Sequence, residues 1–311
     1  MVEVLACLIN SSHANAGNLE TAERITGVKG RILIVQPLQT DDIPAAMRLV
    51  ETAGWNQTHQ DWLRILSETP TCCFKAVEGS RLAGTVTATT YGTSLGWIGM
   101  MLVDPALRRR GIGSDLMRQV ITSLKALPVK SICLDATPMG QPVYERLGFK
   151  TLYTFYRWRK VFSKAAIENH RIPNIDIPAL TQADLEAPQL QLDRQVFGYD
   201  RRLWLKRLQA DSKLIISDQS FGMIRQGRIA DYLGPLIANE LLQAERIIRE
   251  LLANCSSDVF LDYPGDDPEF EKMLASIGFS RIRPLIRMFL DEPPELMKRD
   301  QQFAISDPAT G

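Results

Sequence analysis

The sequence predicts an α/β protein with a mixed sheet, arranged as two similar halves of a 311-residue chain. Short runs rich in apolar and β-branched residues alternate with segments of helical periodicity along both halves. A Leu-Asp pair followed by a Gly-Phe pair occurs at 134–135 and 148–149, and again at 261–262 and 278–279. Self-similarity of this kind indicates a repeated structural unit.

The composition is that of a folded globular protein, with 45% apolar and 23% charged residues. The formal net charge is zero, so nothing in the overall charge points to nucleic acid. No apolar run is long enough to cross a bilayer. The five cysteines lack metal-ligand spacing, and we expect free thiols in a reducing, cytoplasmic compartment and no metal site.

The first half is expected to contain a flexible extension, residues 1–30, and a first domain, residues 31–160. Strands are predicted at 32–35, 72–77, 82–90, 97–103, 131–134 and 149–158, the last of which closes the domain. Helices are predicted to start at 40–42 and to cover 61–66 and 114–127, and a further short helix carries Tyr144.

The second half is expected to follow a connector, residues 161–173, and to form a domain over residues 174–292 with a flexible tail, residues 293–311. Strands are predicted at 175–177, 213–217, 221–225, 229–238 and 259–261. A helix start is predicted at 181–184, and helices at 199–210, 241–253 and 268–277.

A turn rich in glycine and arginine, residues 108–113, joins the strand at 97–103 to the next helix. The first N–H groups of a helix have no partners within it, and the helix dipole adds partial positive charge there. Glycines allow a close approach of the backbone, and arginines supply forked donors for phosphate oxygens. The turn therefore predicts a pyrophosphate site, although it lacks the Lys-Ser/Thr of a P-loop and the Gly-x-Gly-x-x-Gly of a dinucleotide fold.

Two motifs resemble the GCN5-related N-acetyltransferase (GNAT) superfamily. The Arg-x-x-Gly-x-Gly at 108–113 is similar to that family's acetyl-CoA signature, Arg/Gln-x-x-Gly-x-Gly/Ala. The stretch 134–137 and the Tyr-x-x-x-Gly-Phe at 144–149 resemble its fifth strand and the end of the following helix. The match covers residues 31–160 and implies an acyl-CoA N-acyltransferase (GNAT) fold, with tandem domains if the internal repeat is counted.

The resemblance implies acetyl-CoA as the cofactor, with its pyrophosphate on the amides of the turn and its pantetheine arm along strand 97–103. The implied cofactor-binding residues are Met101, Leu102, Val103, Arg108, Arg109, Arg110, Gly111, Ile112, Gly113, Ser114 and Thr137.

The resemblance also implies a catalytic role for Tyr144, because the tyrosine of the Tyr-x-x-x-Gly-Phe segment commonly protonates the departing sulfur. A phenol stays protonated at neutral pH and is acidic enough for that role. A backbone N–H near Met101 or Leu102 would polarise the thioester carbonyl. The general base stays open between Asp135, water, and an amine that arrives deprotonated. The alternative for Asp135, at the end of a strand, is a cap of the following turn.

The resemblance implies that the two early helices and their connection form one wall of the acceptor pocket. Trp55, Asn56, Gln57 and His59 are the candidate contacts there, and a polar loop with a packed tryptophan is the alternative. Asp135 is a further candidate. From the second half, Tyr199, Asp200, Arg201 and Trp204 either complete a polar small-molecule site or form an amphipathic helix at a surface or interface.

The second half is expected to lack cofactor binding. Val103 and Asp135 are 135 − 103 = 32 positions apart, whereas Ile237 and Asp262, the proposed counterparts, are 262 − 237 = 25 apart. The missing seven positions correspond to the turn, and the stretch 238–240 offers neither glycine nor arginine.

These observations predict an N-acetyltransferase that transfers acetyl from acetyl-CoA to a primary amine of a small-molecule or amino-acid-like acceptor by direct attack. The alternatives are a non-catalytic CoA-binding sensor or interaction protein, and an acetyltransferase acting on a protein amine. We expect no nucleic-acid or membrane partner, and a monomer or homodimer.

Overall fold

The structure is a computed structural model that describes residues 23–26, 32–162, 184–253, 255–295 and 297–311. The first half contains β1 (Glu23–Thr26), β2 (Ile32–Pro37), α1 (Ile43–Ala53), α2 (His59–Glu68), β3 (Phe74–Glu78), β4 (Arg81–Tyr91), β5 (Leu95–Val103), α3 (Ile112–Lys125), β6 (Ser131–Ala136), α4 (Gln141–Arg146) and β7 (Lys150–Lys160).

The second half repeats this alternation of strands and helices. It contains α5 (Ala187–Phe197), α6 (Arg202–Gln209), β8 (Ser212–Ser217), β9 (Ser220–Arg225), β10 (Asp231–Ile237), α7 (Leu241–Leu252), β11 (Val259–Tyr263), α8 (Pro268–Ser276), β12 (Phe279–Asp291) and β13 (Gln302–Ala304). No helix in the described ranges is both long and apolar enough to span a bilayer.

The described strands form one mixed sheet that runs through both halves. Its order is β1-β2-β3-β4-β5-β6-β12-β7-β11-β10-β9-β8, and β13 pairs with β10. The pairs β5–β6 and β10–β11 are parallel, whereas the other pairs are antiparallel. Helix α3 buries an apolar stripe (Ile112, Leu116, Met117, Val120 and Leu124) against the first half of this sheet.

The two halves exchange their last long strands. β12 lies between β6 and β7, and β7 pairs with β11 on its other side. The prediction that strand 149–158 closes the first domain is therefore wrong, because that strand lies nearer to the second half. The pairing that decides this joins residues more than 100 positions apart, so the local pattern of the strand does not encode it.

A pseudo-twofold relation connects the exchanged strands. Phe155 lies opposite Leu285 in the β7–β12 ladder, and each follows the phenylalanine of its Gly-Phe pair by six positions (155 − 149 and 285 − 279). The internal repeat in the sequence thus corresponds to a repeat in the structure.

The two ends of the sequence differ from the expectation. Glu23–Thr26, inside the expected extension 1–30, forms a strand paired with β2, and the rest of 1–30 lies outside the described residues. The predicted strand 175–177 also lies outside them, as does most of the predicted helix start at 181–184. The first described helix of the second half begins at Ala187, after the cap residue Glu186.

The end of the expected tail is buried, not flexible. β13 pairs with β10, and Phe303, Ala304 and Ile305 are in the core. The Tyr91 hydroxyl donates to the Thr310 carbonyl (2.6 Å), which links this end of the chain to the first half. We call residues 305–311 the C-terminal segment.

Candidate active site

The parallel strands β5 and β6 separate in the middle of the sheet. Their pairing runs from Leu95 opposite Ser131 to Ile98 opposite Leu134 and stops there, although β5 continues to Val103. A bulge follows directly in β5, where Met100 has a positive φ of 48°, a strained conformation for a residue with a side chain. The backbone of β5 beyond the bulge is therefore unpaired on the side of β6.

A cleft of about 1420 Å³ opens at this separation. It is lined by ten of the predicted cofactor residues: Met101, Leu102, Val103, Arg108, Arg109, Gly111, Ile112, Gly113, Ser114 and Thr137. The structure thus brings together the open edge of β5 and the turn before α3, as the sequence predicted.

The turn before α3 has the geometry of an anion site. Gly111, the residue that caps α3, has φ of 84°, and Arg109 has φ of 62°. A Cβ at Gly113 would lie 3.1 Å from Cε of Met101, so the backbone passes close to the β5 side chains. The first turn of α3 lines the cleft, and its amides, which have no partners within the helix, would favour negative charge there.

The three consecutive arginines point in different directions. Arg109 and Arg108 line the cleft, and the Nε of Arg108 also donates to the Val103 carbonyl (3.2 Å). Arg110 does not line it, because its Nη1 lies 3.2 Å from Oε1 of Glu78 on β3. The prediction that Arg110 contacts the cofactor is therefore not supported by its position.

Tyr144, on α4, lines the cleft and packs edge-on against Phe149 with the ring centroids 6.0 Å apart. Desolvation raises the pKa of its hydroxyl to about 12. Within the described chain this hydroxyl makes no hydrogen bond. The Tyr144 hydroxyl is therefore protonated at neutral pH and free to donate a hydrogen bond to a ligand in the cleft.

A smaller cavity of about 60 Å³ continues from the cleft toward the second half. Trp55, Met101, Asp135, Thr137, Tyr144 and Arg283 line both spaces. Pro308 and Ala309 of the C-terminal segment form its far wall. They fit because residue 99 is glycine: a Cβ there would lie 2.3 Å from the Ala309 carbonyl oxygen.

Three predicted acceptor contacts, Trp55, Asn56 and Gln57, line this cavity. The side-chain amide of Asn56 is already used, because it donates to the Ala230 carbonyl (2.9 Å) and accepts from the backbone N–H of Ile229 and Ala230. It holds the two halves together. His59 is exposed at the start of α2 and does not line the cavity.

Gln57 retains a free hydrogen-bonding atom. Its Nε2 donates to Oδ1 of Asp307 (3.1 Å), and this contact orients the side-chain amide. The Oε1 atom is buried and has no partner among the described residues. A buried unsatisfied acceptor is costly unless a ligand or water pairs with it.

Asp135 is not a free carboxylate. Its Oδ1 and Oδ2 accept from Nε and Nη2 of Arg287 at 2.8 and 2.9 Å, and both side chains are fully buried. A proton taken up by Asp135 would replace a charge-assisted hydrogen bond. The two residues are 152 positions apart, so the sequence alone did not reveal this partner.

The predicted contacts from the second half lie elsewhere. Tyr199 and Trp204 are buried in the core between the halves, and the Tyr199 hydroxyl accepts from the Glu295 N–H (2.8 Å). Asp200 pairs with Arg202 at the surface, and Arg201 pairs with buried Asp193. The helix in this region is thus an interface helix, the alternative that the sequence left open.

Sequence reasoning missed the lining residues Arg157, Arg283, Pro308 and Ala309. The internal repeat could have indicated Arg157, because it follows Phe149 by eight positions as Arg287 follows Phe279. The apolar stretch 303–305 was the only sequence signal that the chain returns to the core near residue 308.

In the second half, the position that corresponds to the cleft is occupied by protein. The parallel pairing of β10 with β11 stops at Leu233 opposite Leu261, as β5–β6 pairing stops at Ile98. Beyond it, Leu236 and Ile237 pair with β13. The chain fills this opening with its own strand.

Two family models match the chain, one in each half. Each describes an acetyltransferase (GNAT) domain; one matches residues 46–155 and the other residues 189–304. Among curated proteins, the chain is 26% identical over 272 residues to the uncharacterized N-acetyltransferase YitH of Bacillus subtilis. That alignment covers 83% of this chain and 89% of the relative.

Solved structures share the arrangement of the whole chain. A putative acetyltransferase from Pyrococcus horikoshii superposes with a TM-score of 0.77 at 20% identity, over 97% of this chain and 100% of that one. A tandem GNAT protein from the clavulanic acid biosynthesis pathway gives 0.60 at 13% identity, over 85% and 100%. At these identities the likeness concerns the fold, and it confirms the predicted tandem α/β architecture.

Proposed function

The chain belongs to the GNAT acetyltransferase family, with one such domain in each half, and from this premise we propose the reaction of its first half. It transfers an acetyl group from acetyl-CoA to a primary amine of a small, amino-acid-like acceptor, and Tyr144 protonates the leaving thiolate. The GNAT-type N-acetyltransferase activity follows from the family. The acceptor and the role of Tyr144 are our proposal.

The observation that carries this proposal is the position of Tyr144. It lines the cleft beside the open edge of β5 and the turn before α3, and it also lines the small cavity beyond. The junction of the two spaces is where a thioester held in the cleft would meet an amine held in the cavity.

The GNAT fold binds coenzyme A or its acetyl thioester, and the residues of the cleft fit such a ligand. The amides of residues 111–114 would hold the pyrophosphate, with positive charge from Arg108 and Arg109. The unpaired backbone of Met101 to Val103 would hold the pantetheine arm in the manner of a neighbouring strand. An N–H of that edge would polarise the thioester carbonyl.

The chemical step forms a C–N bond and breaks a C–S bond. The amine nitrogen attacks the carbonyl carbon, and the departing sulfur takes a proton from the Tyr144 hydroxyl. A pKa of about 12 keeps this hydroxyl protonated at neutral pH, so it is ready to donate. Tyr144 recovers its proton from solvent through the open cleft.

The acceptor loses its proton without a dedicated protein base. Among the described residues lining the cleft and cavity, Asp135 is the only carboxylate and no histidine is present. Since Arg287 engages both oxygens of Asp135, we assign proton removal to water, from an amine that enters deprotonated. The buried Oε1 of Gln57 is positioned to accept a hydrogen bond from that amine.

The small size of the cavity favours a small acceptor over a protein amine. Its volume of about 60 Å³ corresponds to roughly four water molecules. The C-terminal segment and the second half close its far side. We assign the second half a supporting role, because β13 occupies the place that acetyl-CoA would take there.

The first experiment is calorimetric titration of acetyl-CoA into the wild type and the Gly111→Glu variant. The variant places a negative side chain at the pyrophosphate position. Gly92→Glu is the matched control, because Gly92 also has a positive φ (59°) and has open space around it, in the turn before β5. We expect one equivalent to bind to the wild type and the control, and none to Gly111→Glu.

Steady-state release of CoA with a panel of amines then separates an enzyme from a CoA-binding sensor. Turnover of small amines supports the proposal. Binding without turnover of any amine would favour the sensor, and turnover restricted to peptides would favour a protein acceptor. Equal binding of acetyl-CoA by Gly111→Glu would place the cofactor elsewhere.

A further inference from the structure

Arg283 lies in an unfavourable position in the sheet. It is directly opposite Arg157 in the β7–β12 ladder, and like charges facing each other across strands are destabilising. Arg157 is neutralised by Asp262, whose Oδ1 and Oδ2 accept from its Nε (2.8 Å) and Nη2 (2.6 Å). Arg283 makes no hydrogen bond or ion pair with any described residue.

The repeat shows what a purely structural residue looks like at this position. Arg283 follows Phe279 by four positions, and its counterpart, four positions after Phe149, is Tyr153. Tyr153 accepts a hydrogen bond from Nη1 of Arg287 (2.9 Å) and its ring lies 5.5 Å from that guanidinium. The neutral aromatic Tyr153 thus lies opposite buried Arg287. In the equivalent pair, a second cation, Arg283, lies opposite buried Arg157.

Local geometry directs Arg283 toward the candidate active site. The ladder has an irregularity between Arg281 and Arg283, so that Ile282 has no partner opposite it, and bulges of this kind re-aim neighbouring side chains. Arg283 is half-buried and lines both the small cavity and the cleft. Desolvation, and next the charge of Arg157, lower its pKa. A bound anion would favour the charged form of Arg283 and so oppose both causes of the lowered pKa.

The other charged side chains that line the small cavity each have a counterion. Asp135 is engaged by Arg287, and Asp262 by Arg157. Asp307 accepts from Gln57 and lies 3.5 Å from Arg225. Among the described residues that line the small cavity, Arg283 is therefore the cation without a counterion, and the free acceptor atom Oε1 of Gln57 lies on the same cavity.

We propose that the acceptor carries a carboxylate, which binds to the guanidinium of Arg283, while its amine lies toward Oε1 of Gln57 and the thioester. The forked donors of arginine match a carboxylate in a bidentate geometry. This inference rests on the proposed function, since it names the acceptor class of the same site. It also gives the second half a direct part in specificity, because Arg283 comes from the exchanged strand β12.

The test uses L-amino acids, each paired with its own C-terminal amide, as acceptors for the wild type, Arg283→Gln and Arg283→Lys. Arg281→Gln is the matched control: it lies two positions away on β12, is exposed, and pairs with Glu271. We measure kcat/KM for each pair, the Kd of acetyl-CoA, and the Tm of each variant.

We expect the wild type and Arg281→Gln to prefer the free acid, and Arg283→Gln to lose about 100-fold in kcat/KM for the acid with little change for the amide. The loss should appear in KM, and Arg283→Lys should recover part of it. The Tm of Arg283→Gln should be equal to or above that of the wild type, because a like-charge pair is removed. A structural arginine would instead lower the Tm.

Other results overturn the proposal. If the wild type acetylates amides as well as acids, the acceptor needs no carboxylate, although the proposed function stands. If Arg283→Gln weakens acetyl-CoA binding and affects acids and amides equally, Arg283 contacts the cofactor.

A binding measurement separates this inference from the proposed function. The same amino acids and amides are titrated into the CoA-loaded protein by calorimetry. Binding of acids that depends on Arg283, without turnover of any amine, would support the inference and contradict the proposed function. Absence of both binding and turnover would contradict both.

Discussion

Asp135 and Arg287 face each other across paired strands of the two halves, with both oxygens of the carboxylate bound by the guanidinium and no exposure of either side chain. The same arrangement recurs between Asp262 and Arg157. In each case the arginine is carried by the strand that one half contributes to the other. Each exchanged strand thus forms a buried ion pair with the strand of the other half that lies beside it.

Asp135→Asn is expected to destabilise the protein by about 3–5 kcal/mol, because it leaves the buried charge of Arg287 without its counterion. Asp262→Asn should behave alike. Denaturant unfolding monitored by fluorescence measures both. Asp200→Asn, which breaks a surface pair with Arg202, is the control and should change stability by less than about 1 kcal/mol. An Asp135→Asn variant that is fully stable yet inactive would instead identify Asp135 as the base.

Tyr144→Phe is expected to lower kcat by about 10²–10⁴-fold, the usual contribution of a positioned general acid. The Kd of acetyl-CoA should stay unchanged, because the ring and its packing on Phe149 are kept. Tyr156→Phe, on β7 away from the cleft lining, is the control and should retain activity. Retention of full kcat by Tyr144→Phe would mean that another group protonates the sulfur.

The pH dependence of kcat/KM should follow the acceptor amine. With no free carboxylate or imidazole among the described lining residues, only the deprotonated amine reacts, so the rate rises tenfold per pH unit below the amine's pKa and levels off above it. Loss of the Tyr144 proton lowers the rate only as pH approaches about 12. Profiles with two amines of different pKa should shift accordingly. A shared inflection near neutral pH would reveal a protein base.

Gly99→Ala is expected to displace the C-terminal segment, because its Cβ would lie 2.3 Å from the Ala309 carbonyl oxygen. Overpacking of this kind costs about 1–3 kcal/mol. We expect faster proteolysis near residues 305–311 and a higher KM for the amine, with acetyl-CoA binding retained. Unchanged KM and proteolysis in Gly99→Ala would show that the segment does not shape the cavity.

Contiguous features of the chain were predictable from its sequence. The turn at 108–113 needs only neighbouring glycines and arginines at the start of one helix, so the geometry that we propose for anion binding is encoded locally. Most of the predicted cofactor residues line one cleft for that reason. Arg110 does not, because the direction of one side chain in a turn depends on a distant partner, here Glu78.

The sequence by itself determined the fold class, the tandem repeat and the turn of glycines and arginines before α3, since these depend on periodicity and short motifs. The tertiary structure decided the exchange of β7 and β12, the pairing of Asp135 with Arg287, and the burial of the C-terminal segment against Gly99. Each of these joins residues more than 100 positions apart, and such contacts leave no periodic trace in a single chain. The residues of the proposed acceptor site are brought together by contacts of this kind, and they include Arg283 from the second half. For this reason coenzyme A could be predicted from the sequence, whereas the proposal about the acceptor required the structure.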